Sequence, residues 1–192
     1  MEHAILEEVF KGNTFSTEEL TTIGASLRRI DLKKGDLLLN EGQTVLYTHF
    51  VYSGCLRTYF IDGDSGKEHT LQFAIKDWWI SDYTAFFTAD KAMMNIECIQ
   101  DATIYKLSRR SMEQLYVDIP KFETFFRKKL ERRFMALQKR VLGNLAQSAK
   151  ERYLSFIHTY PSIEQNVKNY HIASFLGITT ESLSRIRKEI TQ

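Results

Sequence analysis

Residues 170–190 read YHIASFLGITTESLSRIRKEI. Ile172, Phe175 and Leu176 fall at i, i+3 and i+4, one apolar face of a short helix. Gly177 follows, the residue that most readily adopts the left-handed conformation that ends a helix. Thr179 can then cap a second helix, because its hydroxyl accepts a bond from a free first-turn amide. Leu183, Ile186 and Ile190 give that second helix a buried face. Its opposite face carries Thr180, Glu181, Ser184, Arg185 and Lys188. Short polar groups and a carboxylate suit base edges, Arg suits guanine or phosphate, and Lys suits phosphate. Two helices joined by a Gly turn, the second with such a face, read as a helix-turn-helix that enters a DNA major groove. The plainer reading is an ordinary helical hairpin.

The rest of the 192-residue chain must carry and aim that pair. Its formal net charge is only +2, so DNA binding has to come from a local basic surface. The C-terminal half holds Arg127, Lys128, Lys129, Arg132, Arg133, Lys139, Arg140, Lys150, Arg152, Lys168, Arg185, Arg187 and Lys188. No apolar run reaches membrane-spanning length, and the acidic start MEHAILEEVF lacks a signal-peptide pattern. A cytoplasmic protein without membrane association is expected. Cys55 and Cys98 lack metal or cluster spacing and read as buried free thiols. No cofactor and no metal are expected.

Residues 1–30 look helical, with Ser16-Thr17-Glu18-Glu19 as a helix start. Over 28–107, short runs rich in β-branched and aromatic residues alternate with turn signals, the pattern of an antiparallel barrel or roll. Phe50-Val51-Tyr52 and Leu56–Phe60 suggest a hairpin about Ser53-Gly54. The aromatic stretch 77–87, DWWISDYTAFF, lines the inside of the roll or its mouth. Residues 108–117 form a short helix, and Pro120 opens a long one. Along it Phe122, Phe126, Leu130, Phe134, Leu137, Val141 and Leu145 recur every three or four residues. A seam this long calls for a two-fold partner helix, with a core helix in a monomer as the alternative. Residues 147–159 form a further helix, Tyr160-Pro161 breaks the chain, and 162–169 act as a linker.

Taken whole, the chain resembles the cyclic-AMP receptor / fumarate–nitrate regulator (Crp/Fnr) family of bacterial transcription factors. IASFLGITTESLSRIRKEI is the most specific part of the match. The resemblance implies an α+β fold: N-terminal helices and an antiparallel β-roll of the cyclic-nucleotide-binding, jelly-roll kind over 1–118, a dimerisation helix over 119–145 and a helix-turn-helix domain over 146–192. It implies a homodimer on a palindromic double-stranded operator, contact with RNA polymerase and an effector-binding roll. By position, Thr179 would touch phosphate, Thr180, Glu181 and Arg185 would face base edges, and Ser184 and Lys188 would support them. Phe122, Phe126, Leu130, Phe134, Leu137 and Val141 would form the dimer seam. Trp79, Ser81, Asp82 and Tyr83 would line the effector pocket. The sequence departs from the family at two places. Thr180 replaces an Arg that many members carry. Ser81-Asp82 and Ala92-Met93 replace the Gly-Glu and Arg-Ser/Thr pairs that hold a cyclic nucleotide. A buried cyclic phosphate would then lack its cation, which argues against cyclic AMP and leaves any small-molecule effector unidentified. The oxygen sensors' N-terminal cysteine cluster is absent, and no hairpin wing is evident in PSIEQNVKNY.

Two other readings compete. One is a small metal-dependent, cupin-like β-barrel enzyme with a terminal helical hairpin, using His49, Glu68 and His69. Adjacent Glu68 and His69 would point to opposite strand faces, which disfavours it. The other is a roll that binds nothing and serves dimerisation and polymerase contact.

Overall fold

The computed structural model describes residues 3–191. The first two residues of the acidic N-terminal stretch and Gln192 lie outside the described residues. In chain order the elements are α1 (His3–Val9), α2 (Thr17–Ser26), β1 (Leu27–Leu32), β2 (Leu37–Leu39), β3 (Tyr47–Ile61), β4 (Glu68–Ala74), β5 (Trp79–Ile80), α3 (Tyr83–Thr88), β6 (Asn95–Ser108), α4 (Arg109–Asp118), α5 (Pro120–Ala146), α6 (Ala149–Thr159), α7 (Pro161–Asn166), α8 (Asn169–Leu176) and α9 (Thr180–Thr191). The chain forms two compact units: residues 1–60 with 73–129, and residues 61–72 with 130–192. This grouping divides the long helix between the two units. It also assigns the tip of the β3–β4 hairpin to the C-terminal unit.

In the first unit, Ser16 and Glu19 close a reciprocal capping box that starts α2. The sheet runs β1-β6-β3-β4, with β2 on β6 and β5 on β3. Strand β6 is its hub, antiparallel to β1, β2 and β3. The hairpin expected at Ser53-Gly54 is not formed: β3 runs on through this point as a bulged strand of 15 residues. The pairing shifts from Ser53 opposite Thr103 to Cys55 opposite Gln100. Gly54 has φ +86°, and a Cβ there would lie 2.3 Å from the Asp101 carbonyl oxygen. The Ser-Gly pair therefore marks a close backbone approach, the other use of glycine in a strand. The real turn is the Asp62–Lys67 loop, closed by Asp62 N–H to Lys67 O at 2.9 Å.

Helix α5 supplies the first unit's aromatic core. Phe126 meets Trp79 at a ring separation of 5.2 Å, and Phe125 meets Phe10 at 4.9 Å. Phe122 lies against Phe10 and Tyr116. Phe122 and Phe126 are thus core residues, a correction to their place in a dimer seam. The reason is local: the first turns of α5 follow α4 directly and fill the space beside β5.

In the second unit, Ser174 of α8 joins the β4 edge. Its hydroxyl accepts from Thr70 N–H at 2.8 Å and donates to Glu68 O at 2.9 Å. Arg140 donates to Leu71 O, and Arg133 donates to the Gln72 side chain. Side chains thereby satisfy strand-edge backbone groups that would otherwise offer pairing to another chain. Arg140 also lies over the Phe175 ring, 4.4 Å from its centroid. The linker expected over 162–169 holds a helix, α7, with Pro161 at its first turn. Proline breaks a helix interior but is well placed at a helix start. No described helix is long and apolar enough to cross a membrane.

One buried group gives the fold a pH dependence. His49 of β3 lies opposite Ile80 and Lys106. Burial lowers its pKa to about 4, only partly offset by a hydrogen bond to the Ile80 backbone. The unfolded ring titrates near 6.5, so between these values the unfolded chain binds more protons. Stability from the neutral ring is complete above about pH 6.5, falls as pH falls, and is gone below about pH 4. The loss is at most about 3 kcal/mol. Urea unfolding from pH 7 to pH 4 should show this slope, and His49→Gln should flatten it.

Candidate nucleic-acid interface

Helices α8 and α9 are built as their residues dictate. Gly177 takes φ +67° and ends α8, its N–H reaching the carbonyls of Ala173 and Ser174. Thr179 then caps α9: its hydroxyl accepts from Ser182 N–H at 3.2 Å. Ile172, Leu176, Leu183 and Ile186 are buried, and Ile190 is exposed at the rim. The other arc of α9 is open. Thr179, Glu181, Ser184, Arg185 and Lys188 are exposed and Thr180 is half-buried. Thr180, Glu181, Ser184, Arg185 and Lys188 line one shallow surface concavity.

The chemistry of this face is differentiated along its length. Glu181 sits in the first turn of α9, where the free amides favour negative charge. Its own backbone N–H, then the Thr179 and Thr180 hydroxyls, hold its carboxyl below the usual range. Thr180 Oγ1 donates to Glu181 Oε1 at 3.0 Å. This end therefore presents a fixed hydrogen-bond acceptor. Arg185 and Lys188, one and two turns further on, make no hydrogen bond or ion pair among the described residues. Their donors are available to a ligand.

Several cations of the basic C-terminal half are used internally. Arg152 of α6 donates to Leu176 O at 3.2 Å and to Gln147 O at 2.7 Å. Arg133 and Arg140 bond the β4 strand, as above. Arg187 of α9 points away from the open face. It bonds Glu164 of α7, Tyr153 of α6 and Asn169 of α8. The sequence holds a signal for this. Arg187 is four residues after Leu183, so it lies about 40° from that buried residue around the helix.

The dimer-seam residues divide. Phe122 and Phe126 are core and Leu130 is half-buried. Phe134, Leu137 and Val141 are 65%, 56% and 50% exposed. Met135, Leu142 and Leu145, at 52%, 58% and 81%, extend the apolar surface over the second half of α5.

The residues expected to line an effector pocket are occupied by the fold. Asp82 caps α3: one carboxylate oxygen accepts from Ala85 N–H at 3.2 Å and the other from Met93 N–H at 2.9 Å. Ser81 donates to Tyr47 O at 3.0 Å, and Tyr83 shares a hydrogen with Thr48 at 3.2 Å. Trp79 packs between Phe50 and Phe126. Asp82 is fully buried, so its carboxylate closes the loop between α3 and β6. Both thiols are buried and free, with burial pushing Cys55 up to about 12 and Cys98 up to about 11. Among the described residues, no three His, Cys, Asp or Glu side chains gather into a set that could hold a metal ion. Replacing Asp82 by Ala should cost about 1–3 kcal/mol in urea unfolding, because the buried Ala85 amide and the partly buried Met93 amide lose their acceptor. Asp82→Asn, which keeps one acceptor, should cost less.

Residues 29–118 match the family model of the cyclic nucleotide-binding domain. No curated protein is similar enough in sequence to match the chain. Among solved structures, FixK2 of Bradyrhizobium japonicum is similar with a TM-score of 0.74 at 16% identity, over 86% of this chain and 84% of that one. The c-di-GMP responsive global regulator CLP of Xanthomonas campestris gives 0.74 at 14% identity, over 92% of each chain. A protein described as a transcriptional regulator of the Crp/Fnr family from Eubacterium rectale gives 0.70 at 21% identity, over 92% of this chain and 84% of that one. Residues 29–118 are thus similar to cyclic nucleotide-binding domains, and the chain as a whole has the fold of solved Crp/Fnr-type regulators.

Proposed function

We propose that this protein is a homodimeric, sequence-specific DNA-binding transcription regulator whose roll does not take cyclic AMP. The observation that carries the reading is α9. One helix buries Leu183 and Ile186 and exposes Glu181, Ser184, Arg185 and Lys188 on one arc. Arg185 can pair with guanine O6 and N7, the Glu181 carboxylate can accept from cytosine N4, and Lys188 can meet phosphate. The Thr180 methyl offers an apolar contact to thymine. In a two-fold dimer the two copies of α9 read half-sites one helical turn, about 34 Å, apart.

The exposed apolar face of α5 supports the dimer. Phe134, Leu137 and Val141 recur at helical spacing, and the second copy's identical face matches them by symmetry. The roll supports the exclusion of cyclic AMP. By the family resemblance Ala92 and Met93 fall at the positions of the phosphate-holding Arg-Ser/Thr pair, and Asp82 already serves backbone amides. A ligand of other chemistry, or a protein contact such as RNA polymerase, remains compatible with the fold.

Selection from a random duplex pool, followed by sequencing, tests the reading directly. A two-fold symmetric motif is expected, and enrichment of nothing would sink it. On the selected duplex, Arg185→Ala should abolish discrimination by removing about 1–3 kcal/mol per guanine pairing. Lys188→Ala should leave the preferred sequence unchanged and lower the slope of log K against log salt by about 0.9 for each phosphate no longer neutralised. Separately, Leu137→Glu should convert a dimer into a monomer in analytical ultracentrifugation, with helical content kept.

A further inference from the structure

We propose that Arg187 is the positioning residue of the reading helix: it fixes the rotation of α9 about its own axis and does not itself bind DNA. The proposal rests on α9 reading DNA and names what aims it. The Arg187 guanidinium bonds three other helices at once. Nη2 pairs with Glu164 Oε1 of α7 at 2.9 Å. Nε donates to the Tyr153 hydroxyl of α6 at 3.2 Å. Nη1 donates to Asn169 Oδ1 of α8 at 2.6 Å. Tyr153 closes the set by donating to the same Glu164 oxygen at 2.9 Å. All three guanidinium nitrogens therefore have partners.

The two apolar anchors, Leu183 and Ile186, hold α9 down but constrain its rotation poorly, because apolar contact is non-directional. The guanidinium fork is directional and planar, so it resists rotation. The lever is short. With side-chain ends about 5–6 Å from the helix axis, a turn of about 20° moves the Arg185 end by about 2 Å. That exceeds the distance range of a hydrogen bond. Loss of the fork should therefore harm base reading more than phosphate attraction. The side chain of Arg187 is only 26% exposed, and its charge is met by Glu164, which leaves it unsuited to phosphate.

The test uses full-length protein, the duplex enriched by the wild type, and a random-sequence duplex of equal length. Arg187→Met keeps the stem and removes the fork. Discrimination between the two duplexes should fall about tenfold or more, while the salt slope on the random duplex stays at the wild-type value. Arg187→Lys should rescue only part of the discrimination, since the donors of an ammonium diverge from one nitrogen and do not reproduce the planar, spread fork. Glu164→Gln, the milder change, should lower discrimination in the same sense if Arg187→Met folds poorly. Glu164→Gln and Arg187→Met together should be less than additive. Unchanged discrimination in a folded Arg187→Met would overturn the proposal, as would a salt slope lower by about 0.9, which would make Arg187 a phosphate ligand. Discrimination by the wild type that persists in Arg187→Met defeats this inference alone. A wild type that enriches no sequence defeats the DNA-reading proposal and this inference with it.

Discussion

A single apolar stripe along α5 has two different surroundings, and the rest of the structure depends on that. The stripe repeats every three or four residues from Phe122 to Leu145 without interruption. Its first turns are consumed by an aromatic core with Phe10, Trp79 and Tyr116. Its later turns carry Phe134, Leu137 and Val141 into solvent. Contiguous exposed apolar area on this scale marks an interaction surface more often than a monomer's ordinary surface. The first turns of α5 complete the first unit's core, and its later turns, in the second unit, present the face proposed for a second copy.

A second constraint is the completeness of backbone hydrogen bonding where the chain turns sharply. The first turn of α3 and the loop from α3 to β6 need acceptors for the Ala85 and Met93 amides, and Asp82 provides both. Buried amides left without partners cost about as much as a lost hydrogen bond each. Asp82 is thereby committed to two backbone bonds. Ser174 follows the same logic at the β4 edge, where one hydroxyl serves both a donor and an acceptor of the strand.

Legibility from sequence follows the physics of each signal. The α8–α9 pair is readable because Gly177 and Thr179 have local roles that no distant neighbour alters. The β3 bulge is not, because Ser-Gly serves a hairpin turn and a close backbone approach equally well. Only the position of Asp101, 47 residues away, decides between them. Helix α7 escapes a sequence reading because Pro161 signals a break inside a helix and a start at its first turn with the same residue. The α5 stripe is plain in the sequence, but periodicity identifies a face and says nothing of what covers it. Phe122 and Phe134 carry the same signal and end in opposite surroundings.

The same distinction governs the charges. The chain's net +2 is distributed so that free cations are few where they matter. Arg152 is committed to main-chain carbonyls and Arg187 to the α6–α8 bundle. On α9 this leaves Arg185 and Lys188 as the open cations. A face with two open cations and one carboxylate attracts a polyanion less than the cations alone would, because the carboxylate repels phosphate. Such a face binds well only where groups of the right kind stand at the right places. Under the proposed DNA reading, that modest charge would favour selectivity over general affinity, and selectivity would require the helix to be held at one rotation.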